Sequence, residues 1–331
     1  KKHYFLRCQL IIREILKNGI DLVVELPFIY TVENADVFAK CAVDILNKIK
    51  VDYICFGSEV GEKEKFQEEY KEVLENKINY KKIKKEMKKG FSFSASFANL
   101  YFKNKVSNPN DILGINYIKN LDPRINWYSI KRTSSYHDNN LSEFSSATSL
   151  RRAIKENINI EEHSPLADKI KKDFIGDLDN LFYLLKYKLL VCNKRKLKKI
   201  HLVNEGIENL LFKNIKKAKS IEELISMSTS KRYTASRLKR TILHILMDVC
   251  KKDAKKMLKK PSSYIRVLGF NNKGQKFLKE NKNNINYFSS FDKNCEIMQL
   301  EKRASLLYDY STNFKTQSYD LEHKLFPIVV K

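Results

Sequence analysis

The chain has 331 residues, 43% of them hydrophobic, with 19 Phe, 17 Tyr and a net charge of +24 from 63 Lys+Arg against 39 Asp+Glu. That length exceeds the usual single core and predicts two domains, and the aromatic content excludes global disorder. The positive excess argues against an acidic, partner-binding protein and draws in polyanions, unless it is only a lysine-rich, solubilising surface.

No apolar run approaches the roughly 20 residues that span a bilayer, and no signal-peptide pattern opens the chain, so a cytoplasmic protein is expected. Residues 5–17 (FLRCQLIIREILK) repeat apolar groups at helical spacing and stop before Gly19, a helix C-terminal signal. Asp21–Pro27 (DLVVELP) and Val51–Glu59 (VDYICFGSE) are runs of β-branched and aromatic residues that end at Pro27 and at Gly57-Ser58. Between them Asn34 is a suitable cap for a helix with Ala35, Phe38, Ala42, Ile45 and Ile49 on one face. Strand, helix and strand together predict a βαβ unit with both strands buried and a ligand crevice at Gly57–Glu59.

Residues 62–89 mix charges at i,i+4 spacing and predict a solvated helical excursion. Ser107–Asp111 (SNPND) predicts a turn before a helix over Ile112–Leu121. Asn126–Arg132 (NWYSIKR) predicts a third strand that presents Lys131 and Arg132 at its end. Ser145–Ile154 (SSATSLRRAI) predicts a helix opening on hydroxyls. A polar connection ending at Ser164-Pro165 places a domain boundary near residue 160. Residues 167–260 read as helical almost throughout, with basic runs, and Tyr264–Lys276 as a strand and a glycine turn.

The six cysteines (Cys8, Cys41, Cys55, Cys192, Cys250 and Cys295) are dispersed, with no CxxC and no Cys/His cluster at zinc spacing. They read as reduced packing residues, and no metal site is assigned. His137-Asp138 reads as a structural loop pair. GxGxxG, GxxxxGK[ST] and HExxH are absent, so no single motif fixes a reaction and no catalytic residue is assigned. Ser146, Thr148 and Arg151 suit a phosphate at a helix N-terminus, although an ordinary cap followed by surface arginines is the commoner arrangement. Lys231, Arg232, Arg237, Lys239 and Arg240 crowd the first turns of an amphipathic helix, as an RNA-backbone contact or a solvated basic face.

Taken in order, GIDLVVELP, ENADVFAKCA, VDYICFGSE, NPNDILG, YSIKR with YHD, SSATSLRRAI, KRYTASRLKR and YIRVLGFNNKG resemble the bacterial tRNA(Met) cytidine acetate ligases. The resemblance implies an α/β plus α architecture. Residues 1–160 would be a Rossmann-like nucleotidyltransferase domain, N-terminally incomplete, and residues 161–331 a mainly helical, basic, tRNA-binding domain. It implies that ATP activates acetate to acetyl-adenylate with loss of pyrophosphate, and that the acetyl group passes to N4 of the wobble cytidine of elongator tRNA(Met). By motif matching, ATP contacts fall on Gly57, Asn110, Arg132 and Thr133, with Mg2+ accompanying the nucleotide.

Family members carry an HxGH-type motif in an N-terminal loop, and this sequence has none, opening at Lys1-Lys2-His3. The expectation is a chain without its adenylating loop, by truncation or by loss, that is poorly stable alone, forms no acetyl-adenylate and retains weak tRNA affinity. Cys41 stands where the family tends to carry glycine. Two alternatives are a nucleotidyltransferase of a small cofactor precursor, which the long basic second half disfavours, and a non-catalytic tRNA-binding protein. The oligomeric state is not readable.

Overall fold

The computed structural model describes residues 5–75, 79–91, 93–101, 109–132, 141, 145–164, 167 and 175–330. The principal elements, in chain order, are α1 (Phe5–Lys17), β1 (Leu22–Val24), α2 (Ala35–Ile49), β2 (Tyr53–Ser58), α3 (Lys63–Glu75), α4 (Pro109–Asn120), β3 (Asn126–Lys131), α5 (Ala147–Lys155), α6 (Ala235–Leu246), β4 (Val267–Phe270), α7 (Asn272–Glu280), α8 (Glu296–Ser311) and β5 (Ile328–Val329). The fold is mixed α/β. It forms two compact units, one from Lys1–Thr31, Tyr136–Leu185 and Leu246–Lys331, the other from Val32–Ser135 and Lys186–Ile245. Among the described residues no helix is long and apolar enough to cross a membrane.

In the second of these units β2 and β3 lie parallel, in register from Tyr53↔Asn126 to Ser58↔Lys131. The pleat puts Ile54, Trp127 and Ser58 inside and leaves Tyr53, Cys55 and Tyr128 exposed. Asn34 caps α2 by accepting from the Val37 amide at 2.9 Å, and Lys50 ends the helix in the left-handed region. The buried residues of α2 are Ala39, Cys41, Val43, Ile45 and Ile49, so it is covered on more sides than the single predicted face.

The charged stretch after β2 is not a solvated excursion. Phe66, Tyr70 and Val73 of α3 recur one and two turns apart and are buried with Ile54, Ile115 and Trp127 in one core. Its lysines and glutamates cover only the outer side. Helix α4 is already formed at Pro109, one turn earlier than expected, and Pro109 is a residue that the first turn of a helix tolerates. Gly114 of α4 faces Phe56, and a Cβ there would lie 2.4 Å from the ring. The absent side chain admits Phe56 between the helix and Trp127, whose ring stacks on it at 5.8 Å.

The first unit holds β1, β4 and β5. β1 pairs antiparallel with β4, Leu22 opposite Phe270, and β4 pairs parallel with β5. This corrects the predicted βαβ unit: β1 and β2 belong to different sheets. β1 has only three residues, and its ladder is taken up by β4, so sequence proximity to β2 does not decide its partner. The glycine turn over Tyr264–Lys276 is also corrected. Gly274 is the third residue of α7, where a Cβ would stand 2.0 Å from the Asp21 carbonyl oxygen.

Arg266, 2% exposed, ties this unit's interior together. It donates to Glu322 at 2.6 Å and reaches Glu25 at 3.4 Å, while Tyr264 donates its hydroxyl to Glu25. Glu301 accepts from the Phe28 amide at 2.5 Å. Burial raises the pKa of Glu25 and raises that of Glu301 well above its ordinary value.

Candidate functional site

β2 and β3 end together, and Arg132, just past β3, donates its amide to the Ser58 carbonyl at 2.9 Å. The carboxyl ends of parallel strands are where such sheets hold ligands. Beyond Ser58 the chain turns sharply. The Ser58 hydroxyl oxygen accepts from the amides of Val60 and Gly61, both at 3.1 Å, and Gly61 takes φ +120°.

A buried carboxylate holds this turn from below. Asp111 Oδ1 accepts from the Ser58 hydroxyl at 2.6 Å and the Glu59 amide at 3.1 Å, and Oδ2 accepts from Tyr70 Oη at 2.9 Å. The Tyr70 phenol is raised far above its ordinary range by burial and then by the Asp111 charge, so it stays a donor. Asn110, the second residue of α4, donates to Glu59 Oε1 at 2.6 Å. The remaining Glu59 oxygen, Oε2, and Arg132 Nε are both buried with no hydrogen-bond partner among the described residues. Buried polar atoms are rarely left so, and a ligand is one way of satisfying them.

A cleft of about 350 Å³ opens beside β2, walled by Ala42 and Leu46 of α2, Phe56 and Gly57 of β2, and Asn110 and Tyr117 of α4. Its volume suits a small ligand. At Gly57 a Cβ would touch Arg132 Cγ at 3.4 Å, so the missing side chain brings the arginine stem against the strand end. Cys55 is exposed on β2, which corrects its reading as a packing residue. Cys41 does pack, and burial pushes its thiol up to about 12.

Of the residues expected from sequence, Gly57, Asn110 and Arg132 are gathered in this one unit. Thr133 lies outside the described residues, as do His137 and Asp138. Ser146 belongs to the other unit and is committed as the cap of α5, accepting from the Ser149 amide at 3.0 Å. Thr148 is in that helix with its side chain outside the described set, and Arg151 is exposed.

Along the basic segment, Lys231, Arg232 and Lys239 are exposed. Arg237 instead pairs with Glu205 at 2.9 Å and lies over the Tyr233 ring. Arg240 is half-buried, and desolvation lowers its pKa against the opposing pull of Glu33. Sequence reasoning missed Asp111 and Tyr70. An aspartate in the first turn of a helix looks like an ordinary N-terminal charge, and only the fold brings three donors to it.

A strand-end turn, a cleft and two buried polar atoms without partners among the described residues thus lie in one unit at the carboxyl ends of β2 and β3. The chain belongs to the HIGH nucleotidyl transferase family, whose pattern it matches over residues 13–323. Within it, the chain falls among the tRNA(Met) cytidine acetate ligases. It is 36% identical to that of Clostridium perfringens strain SM101, covering 89% of this chain and 81% of the relative. To that of Bacillus subtilis it is 33% identical, over 92% and 82%. The crystal structure of Thermotoga maritima TmcAL in its apo form I superposes with a TM-score of 0.81 at 25% identity, covering 96% of this chain and 86% of that one. A second structure of the same protein, bound with alpha-thio ATP, gives 0.79.

Proposed function

We propose that this protein is an ATP-dependent ligase of the cytoplasm that acetylates N4 of the wobble cytidine of elongator tRNA(Met), using acetate by way of acetyl-adenylate. The relatives' names give an acetate ligase acting on tRNA(Met) cytidine, and the unpartnered Glu59 Oε2 and Arg132 Nε beside Gly57 carry the assignment of the nucleotide site. ATP contacts fall on Gly57, Asn110 and Arg132, with Thr133 following in sequence. Gly57 permits close approach of the nucleotide, and Arg132 meets phosphate charge that grows as pyrophosphate leaves. Mg2+ prefers oxygen ligands, and Glu59 Oε2 is the carboxylate oxygen at this site without a partner.

The proposed division of labour assigns nucleotide binding to residues 1–160 and tRNA binding to residues 161–331, ranges of sequence that do not coincide with the two compact units. The exposed cations Lys231, Arg232 and Lys239 are the proposed contacts to the tRNA backbone, with Arg237 and Arg240 holding the segment that carries them. Ser146, Thr148 and Arg151 remain a secondary phosphate proposal.

The test is direct binding of ATP and of tRNA to the chain and to Arg132→Ala. ATP affinity should fall by roughly tenfold or more, the scale of a lost charge-assisted contact, while tRNA affinity holds. Equal losses of both ligands would place Arg132 on the RNA surface. Unchanged ATP affinity would remove it from the site.

A further inference from the structure

Three segments of one compact unit converge on a cluster that sequence spacing does not show. Glu33 stands just before the cap of α2, His201 follows the short helix Lys194–Leu197, and His244 lies on α6. One ligand atom from each lies within 4.8 Å of the others. Glu33 Oε1 is 2.5 Å from His201 Nε2 and 3.8 Å from His244 Nε2. The two imidazoles stand at 89° with centroids 4.9 Å apart, so neither ring stacks over the other. The Glu33 and His244 side chains are 3% and 0% exposed and His201 is 19% exposed, which leaves entry on the His201 side.

We propose that Glu33, His201 and His244 bind a single divalent transition-metal ion of the zinc class. Two imidazoles and one carboxylate are a donor set that Zn2+ takes in four-coordinate sites, with water or another ligand in the fourth position. Bond lengths near 2.0–2.2 Å at tetrahedral angles put donor atoms about 3.3 Å apart. The two separations from Glu33 Oε1 bracket that value, and each closes the gap with less than an ångström of side-chain adjustment.

His244 Nε2 lies 3.0 Å from the Val32 carbonyl oxygen, an atom that only accepts, so without metal the ring proton sits on Nε2. On metal binding this contact is exchanged for the ion, and the proton resides on Nδ1. Arg240, one turn before His244 on α6, is attracted by Glu33 and opposes a dication there. That opposition disfavours weakly held Mg2+ and Ca2+, which in any case prefer all-oxygen shells, and favours an ion held by nitrogen. Bound metal would staple the entry of α2 to the segment after residue 197 and to α6.

The experiment uses the whole chain dialysed against chelator, titrated calorimetrically with Zn2+ and spectroscopically with Co2+. One ion per chain with micromolar affinity or better is expected, with the visible absorption of tetrahedral Co2+. Imidazole 15N–1H spectra of the unsubstituted chain should show two of the six histidines shifted by Zn2+, a readout that needs no variant to fold. His201→Gln and Glu33→Gln should each weaken binding by about tenfold or more. His323→Gln, an exposed histidine elsewhere, should leave it unchanged. Absence of stoichiometric binding, fewer than two shifted histidines, or undiminished affinity in both site variants overturns the proposal.

Discussion

The Ser58 hydroxyl donates to Asp111 Oδ1 across 2.6 Å, tying the end of β2 to the first turn of α4. With the Glu59 amide and Tyr70 Oη also bound, both carboxylate oxygens of Asp111 are engaged, and the turn that follows Gly57 is held at fixed height. The proposed nucleotide contacts sit on this frame. Gly57 precedes the tied serine, and Asn110 precedes the aspartate.

Asp111→Ala removes the acceptor that the Tyr70 and Ser58 hydroxyls share inside the unit. Hydrogen bonds to a charged partner contribute about 1.5–3 kcal/mol, and an abandoned buried donor costs a similar amount, so a loss of about 3 kcal/mol is expected. Tyr70→Phe removes one bond alone and should cost about half as much. Urea unfolding of the two variants checks the ratio, and near-equal losses would show that Tyr70 supplies most of the tie.

Gly114→Ala places a methyl 2.4 Å from the Phe56 ring, which Trp127 and Phe66 confine from other sides. Overpacking of this kind costs about 1–3 kcal/mol. The same substitution at an ordinary exposed helix glycine would stabilise, so a raised melting temperature for Gly114→Ala would refute the confinement of Phe56.

Stability should decline as pH rises above the ordinary glutamate value of 4.5. Burial, with the Glu25 charge next in weight, raises the Glu301 pKa well above that value, and Glu25 is raised by burial as well. A raised pKa means that the folded chain holds the proton more tightly than the unfolded one. This stabilisation is complete below the unfolded pKa and is lost as pH rises through the folded value. Glu301→Gln keeps an oxygen for the Phe28 amide and removes the titration. Its urea midpoint should vary less with pH than that of the unsubstituted chain, and parallel pH profiles would count against the assignment.

Lys231→Ala and Lys239→Ala should each weaken tRNA binding and flatten the log–log salt slope by roughly 0.7–0.9, the yield of one neutralised phosphate. Arg237→Ala should act differently, because its guanidinium is already engaged with Glu205 and Tyr233. Its principal effect should be a lower unfolding midpoint with the salt slope retained. Filter binding across salt concentrations separates the two behaviours.

Local signals made some elements legible and obscured others. The end of α1 before Gly19, the third strand and the Ser146 cap follow from neighbouring residues, and the structure contains them where they were expected. The apolar period of Phe66, Tyr70 and Val73 is also present in the sequence, but the charges that surround it mask it. Strand pairing was not legible. Backbone hydrogen bonds do not encode which edge they meet, and a three-residue strand carries too little pattern to specify a partner.

The sequence by itself determined the kinds of element, the approximate ends of those in its first half, the excess of positive charge and the ordered blocks that assign the family. These depend on capping, periodicity and composition, which act over a few residues. Tertiary structure alone decided that β1 joins β4 and that Asp111 gathers three donors. It also brought His201 against Glu33 across 168 positions of chain. Contacts of that separation depend on how whole helices and strands pack, and no local propensity records them.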